Sequence, residues 1–173
     1  DYATLTQIAA ETEPFASLIN PSDERFFKPD HMPETITGFC HETNQPEPAT
    51  HGATVRCVLE SLALLYAQRL EEVQQLTGEP INRLHIVGGG SRNALLNQFT
   101  ANACGVEVVA GPTEATALGN VLVQAIALGD LPDLASAREV VRESMDVETF
   151  APENTDDWQG AGEKFGAITG TGA

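Results

Sequence analysis

From Ala53 to Thr77 apolar residues return at helical spacing, with Val55, Val58, Leu59, Leu62, Leu65, Tyr66, Leu70 and Val73 on one face. Gly78 and Pro80 close the run, as expected at a helix C-terminus. The pattern predicts one long amphipathic helix. The short apolar run Leu84-His85-Ile86-Val87 has strand length and leads into Gly88-Gly89-Gly90. A second helix follows from Arg92 to Ala103, with Leu95, Leu96 and Phe99 to bury. Val106-Glu107-Val108-Val109-Ala110 is a second strand, broken by Gly111-Pro112. Thr113 stands as an N-cap, with Glu114 in the first turn of a helix that runs to Leu128 and stops at Gly129. Two further helices are expected at Ala135–Glu143 and Asp156–Phe165.

The first 50 residues differ. They hold Pro14, Pro21, Pro29, Pro33, Pro46 and Pro48, six of the ten prolines, and each removes a donor and restricts its predecessor. Short helices at Ala3–Glu11 and Pro33–Glu42 are the regular structure expected there. The organisation is therefore an irregular Pro-rich segment at 1–52, a core at 53–168 and a frayed tail at 169–173. Helix, strand, helix, strand, helix is an α/β order, with a mostly parallel sheet between helical layers. Two strands make an incomplete sheet, which suggests that further strands lie upstream. Ala115, Ala117, Gly119 and Ala125 suit close packing of the helix after the second strand on the sheet or the glycine turn.

Composition narrows the class. Nine basic and 25 acidic side chains give a formal charge of −16. A stripe of cations that would neutralise nucleic-acid phosphates is absent, and an anionic membrane surface is disfavoured for the same reason. No apolar run reaches the ~20 residues needed to span a bilayer, and the start of the chain has no signal-peptide pattern. A cytoplasmic soluble domain, cut from a larger enzyme, is the expectation. The acidity itself reads as a solvated surface, including the stretch from Glu139 to Asp157. Three cysteines make no disulfide framework. Cys40 and Cys57 are 17 positions apart, and reduced thiols are expected over a bridge. Cys104 ends a helix as packing. His31, His41, His51 and His85 lack paired metal spacing, and His85 alternates with strand residues, which suits packing or a hydrogen bond.

The chemistry lies in Val87-Gly88-Gly89-Gly90-Ser91-Arg92-Asn93. Without Cβ atoms, glycines let backbone approach a ligand and adopt positive φ. The helix that follows offers free N–H groups and the positive end of its dipole, which favours a phosphate. Asn93 is placed to reach a base or ribose edge. The plain alternative is a tight strand-to-helix turn without a ligand. A P-loop is excluded by the absence of a nearby Lys. A nicotinamide-type Rossmann turn is disfavoured, since Asn93 stands where its third Gly belongs and no acid precedes Glu114 after the next strand. A partner-binding domain without catalysis is the remaining rival.

Gly88-Gly89-Gly90-Ser91-Arg92-Asn93, Leu96-Asn97-Gln98, Val108 and Glu114-Ala115-Thr116-Ala117-Leu118-Gly119 together resemble the C-terminal domain of the FGGY carbohydrate kinases. Ile19-Asn20-Pro21, Met32-Pro33, Thr43-Asn44-Gln45-Pro46, Glu60-Ser61-Leu62-Ala63-Leu64, Ala110-Gly111-Pro112 and Gly119-Asn120 resemble the branch that acts on L-rhamnulose. Most other members would show Ala at Asn120. The alternative within the family is a kinase for another sugar or polyol, such as xylulose or glycerol. The resemblance runs from Tyr2 to Phe165 and is most specific over residues 55–129. It implies an actin-like, ribonuclease-H-type fold and MgATP-dependent phosphoryl transfer to a sugar. It carries Gly88, Gly89, Gly90 and Asn93 over as ATP contacts, and leaves Gln98 between the pocket and the core. It puts the catalytic Asp, the phosphate loops and most of the sugar site in an N-terminal domain upstream. No Asp in the first 30 positions stands in the family's catalytic motif. The resemblance therefore implies no catalytic residue and no metal ligand in these 173 residues, with Mg²⁺ held largely by phosphates and water.

Overall fold

A computed structural model describes residues 1–170. Seven α-helices and three strands occur in the order α1 (Tyr2–Ala10), α2 (Met32–Glu42), α3 (His51–Thr77), β1 (Arg83–Ile86), α4 (Ala94–Cys104), β2 (Glu107–Ala110), α5 (Ala115–Leu128), α6 (Leu134–Ser144), β3 (Glu148–Phe150) and α7 (Thr155–Thr169). The ends follow local chemistry. Asp1, Thr50, Asn93 and Asp133 cap α1, α3, α4 and α6 through side-chain oxygens. Gly78, Gly105 and Gly129 stop α3, α4 and α5 in the left-handed region.

α3 is the scaffold. Leu59, Ala63 and Leu64 pack with Phe99 of α4 and with Trp158, Ala161 and Phe165 of α7 in the main core. The Trp158 ring meets Phe99 at 5.2 Å and Phe15, edge-on, at 4.8 Å. The Pro-rich segment packs Ile19, Ile36, Phe39 and Cys40 with Cys57 of α3 in a second, smaller core. Side chains then tie its irregular backbone down. Glu60 Oε2 accepts from Phe15 N at 2.9 Å, and Ser61 Oγ accepts from Ile19 N at 2.9 Å. Gln45 brackets Leu18, accepting from its N at 2.9 Å and donating to its carbonyl at 2.8 Å. Loops of this kind need such partners because buried backbone polar groups must be satisfied.

β1 and β2 pair in parallel, with Leu84 opposite Val108 and Ile86 opposite Ala110. β3 adds a third strand that the sequence pattern does not announce. It is antiparallel to β2, with Phe150 opposite Val108. Three residues, two of them polar, are too few to show alternation. Leu84, Ile86, Val108, Ala110 and Phe150 line one face, against Ala101 of α4. The other face carries Arg83, His85, Glu107, Val109 and Thr149, none of them buried. The expected sandwich of the sheet between two layers is therefore one-sided in this chain, because α5 leaves β2 to pack on α6.

Several local expectations change. Thr113 does not cap α5. The helix starts one residue later, behind Glu114, whose side chain makes no capping bond. The small residues of α5 are not pressed against the sheet, and no residue of that helix is buried. His85 is exposed. α7 runs four residues past Phe165, to Thr169, where fraying was expected; the rest of the predicted tail, 171–173, lies outside the described residues. Cys40 and Cys57 do meet, as buried free thiols. Their mutual hydrogen bond, together with burial, pushes Cys57 above the ordinary thiol value. Burial alone pushes Cys104, only partly covered, up to about 12.

Candidate functional site

The glycine turn lies beyond the carboxyl end of β1. Ile86 O accepts from Gly111 N at 2.8 Å, and Gly88 N donates to Pro112 O at 3.1 Å. The turn is thus fastened to the loop after β2. Gly88 has φ +78° and ψ −162°, a conformation open only to glycine. Gly89–Arg92 form one 3₁₀ turn rather than the first turn of α4. Ser91 N and Ser91 Oγ donate to Gly88 O at 3.1 and 2.7 Å, which closes the turn on itself.

Gly89 and Gly90 differ from Gly88. Neither has positive φ, and a Cβ added to either meets no atom of the chain within 4 Å. Their N–H groups stand at the start of the 3₁₀ turn and donate to no described residue. The chain's own packing gives no reason for glycine at these two positions, as it gives none at Gly38, Gly119, Gly160 and Gly162 within helices. Arg92 is exposed and unpaired among the described residues, whereas Arg83 is engaged by Glu107. No carboxylate occurs between Ile81 and Gly105, although Glu114 directly follows Thr113, whose carbonyl lies beside Gly88.

Asn93 sits directly after the turn and is 6% exposed. Its Oδ1 accepts from Leu96 N at 3.1 Å, capping α4. Its amide nitrogen bonds to no described residue. Gln98, undecided in the sequence, turns away from the site. It donates to Asn102 Oδ1 at 2.7 Å and to Ala151 O at 2.8 Å, stitching α4 to the chain after β3.

Asn97 is the residue that sequence reasoning passed over. It is fully buried, and its Nδ2 donates to Ser91 O at 2.8 Å. Its Oδ1 is buried without a partner. The signal was available: Asn93, Asn97 and Thr100 are polar residues one helical turn apart, and all three are buried. Asn97→Ala is expected to destabilise the fold by about 1–3 kcal/mol, because Ser91 O loses its donor. Urea denaturation measures the difference, and an unchanged midpoint would show that the latch is idle.

Comparison with known proteins places these features. Residues 1–128 match the model of the C-terminal domain of the FGGY family of carbohydrate kinases. The chain is 49% identical over 160 residues to a rhamnulokinase of Bacteroides thetaiotaomicron, covering 92% of the chain and 33% of that protein. It is 43% identical over 169 residues to a rhamnulokinase of Pectobacterium carotovorum, covering 98% and 34%. The chain thus spans about a third of the length of the curated relatives it matches. Among solved structures, Rhodospirillum rubrum xylulose kinase aligns with TM-score 0.63 at 20% identity, over 98% of this chain and 34% of that one. Plasmodium falciparum glycerol kinase with ADP aligns with TM-score 0.68 at 16% identity, over 99% and 34%. These likenesses establish the fold. The chain belongs to the FGGY family of carbohydrate kinases and carries the fold of their C-terminal domain.

Proposed function

We propose that this chain is the nucleotide-holding part of a kinase that transfers the γ-phosphoryl group of ATP to L-rhamnulose, giving L-rhamnulose 1-phosphate and ADP. The observation that carries the nucleotide site is the pair Gly89 and Gly90, with N–H groups free and open space where side chains would stand. The sugar is drawn from the names of the relatives at 43–49% identity.

Backbone N–H groups of Gly89 and Gly90 donate to phosphate oxygens. Gly88 supplies the conformation that turns them outward, and Ser91 with Asn97 keeps the turn from collapsing. Arg92 adds one exposed positive charge, and Asn93 offers its amide nitrogen on the adenosine side. ATP, when bound, supplies the phosphoryl group, and transfer of this type depends on positioning and charge stabilisation. Among the described residues no three His, Cys, Asp or Glu side chains cluster as a metal site. A Mg²⁺ brought with ATP would be held by phosphates and water, in keeping with its reluctance to dehydrate. The base that accepts the proton of the sugar hydroxyl belongs to an N-terminal domain, which also holds most of the sugar.

The test is a coupled ADP-release assay on the full-length gene product with L-rhamnulose, xylulose and glycerol. Rhamnulose-dependent turnover is expected, and preference for xylulose or glycerol would overturn the substrate. The 173 residues alone are expected to show no turnover. Phosphorylation of rhamnulose by this chain by itself would overturn the division of roles between domains.

A further inference from the structure

Asn97 carries a cost that packing does not explain. It lies within α4 and is 0% exposed, and its Oδ1 has no partner among the described residues. A buried acceptor left unpaired is a standing loss of stability. Its neighbours Leu96, Phe99 and Ala101 are apolar and pack into the cores. Leucine has the same branching as asparagine, and would set carbons where Oδ1 and Nδ2 stand without an unmet acceptor. Thr100, one turn on, shows the contrast. Its Oγ1 donates to Leu96 O at 2.7 Å, so its own helix satisfies it. The Asn97 amide instead reaches back six residues, out of α4, to Ser91 O.

That reach fixes a joint. Asn93 stands between the 3₁₀ turn and α4 with φ −88° and ψ 88°, which is not helical backbone. Rotation there would swing the turn relative to the helix. The bond from Asn93 N to Gly90 O, at 3.2 Å, lies inside the turn, and the bond from Asn97 N to Asn93 O, at 2.9 Å, lies inside the helix. The Asn97 side chain crosses from one to the other. The turn is thus held at its start by Pro112 O and at its end by Asn97 Nδ2. The Gly89 and Gly90 N–H groups lie between these two anchors.

We infer that Asn97 is a positioning residue for the nucleotide: through the Ser91 carbonyl it aims the Gly89 and Gly90 N–H groups at the phosphates, and so raises affinity without touching the ligand. This rests on the reading of the glycine turn as the nucleotide site. Donors held in place before the ligand arrives lose less freedom when it binds. The unpaired Oδ1 is the stability given up for that placement.

The test is calorimetric titration of the full-length gene product with ADP, which needs no sugar and no turnover. Asn97→Leu is expected to raise the Kd for ADP by about 5–20-fold. A merely structural role would lower the melting temperature and the number of binding sites, and leave Kd alone. Ile36→Val, buried in the second core, is the control for lost stability, with Kd expected unchanged. Because Kd is read from the folded molecules, a poorly folding variant still reports. Asn97→Asp, which keeps the shape of the side chain, is the second variant. Its carboxylate cannot donate to Ser91 O, whereas the protonated acid can, and burial favours that acid. The ratio of its Kd to the parent's is therefore expected to fall as pH drops from about 8 to about 6. A Kd within about two-fold of the parent's for both variants, with Gly89→Val weakened, would overturn this inference and leave the nucleotide site standing. No weakening in any of the three would remove the glycine turn from the site, and this inference with it.

Discussion

Glu60→Ala is expected to lose about 3–5 kcal/mol of folding stability, the largest effect of any single substitution considered for this domain. The Glu60 carboxylate is 1% exposed. Oε1 receives Arg56 Nε at 2.6 Å, and Oε2 receives Phe15 N at 2.9 Å. Burial raises the carboxyl above its ordinary value, and Arg56 and the Phe15 N–H pull it back. Truncation leaves the Arg56 guanidinium without its counter-charge, over the Phe99 ring at 5.2 Å. It also orphans the Phe15 N–H, and so loosens the loop that brings Phe15 against Trp158. Against a typical total of about 5–15 kcal/mol, this is enough to unfold a large fraction of the protein on mild heating. The double variant Arg56→Met, Glu60→Leu should recover part of the loss, because no bare charge remains. Recovery will be incomplete, since Arg56 Nη1 also donates to Ala9 O and Ala10 O at 3.0 Å each. Urea denaturation of the three proteins decides the matter. A Glu60→Ala loss below about 1 kcal/mol would show that the ion pair is decorative.

In the full-length enzyme, Gly89→Val is expected to raise the KM for ATP by about 10–100-fold, with the KM for sugar little changed. The figure corresponds to losing one charge-assisted hydrogen bond to phosphate at about 1.5–3 kcal/mol. The substitution is informative because the fold itself tolerates it: Gly89 has no positive φ, and its Cβ would meet nothing in the chain. A side chain there fills only space outside the protein. Gly88→Val would confound the result, because its φ of +78° makes any side chain a strain. Thermal denaturation of Gly89→Val should match the parent. An unchanged KM for ATP would remove the glycine turn from the site.

Much of this fold was legible in the sequence where pattern and punctuation agreed. Val55 to Val73 at helical spacing, closed by Gly78, marks α3 to within two residues of its ends. The glycines at 78, 105 and 129 stop helices because each must enter the left-handed region. The turn at Gly88–Gly90 was recognisable from its place between a strand and a helix. β3 was hidden because Glu148-Thr149-Phe150 has a single apolar residue, and its pairing with β2 is decided by tertiary contact. The start of α5 was misjudged because Thr113 looks like a cap, whereas the helix begins behind Glu114. The latch at Asn97 was passed over because a polar residue inside an amphipathic helix reads as surface. The exposed side of α5 was unexpected for a related reason. Its composition says buried, and only the packing shows that these residues do not provide the burial.

The hydrogen bond from Gly88 N to Pro112 O ties the glycine turn to the loop that leads into α5. The two loop tips shift together or the bond breaks, so slow exchange of the Gly88 amide proton would report the integrity of both loops at once.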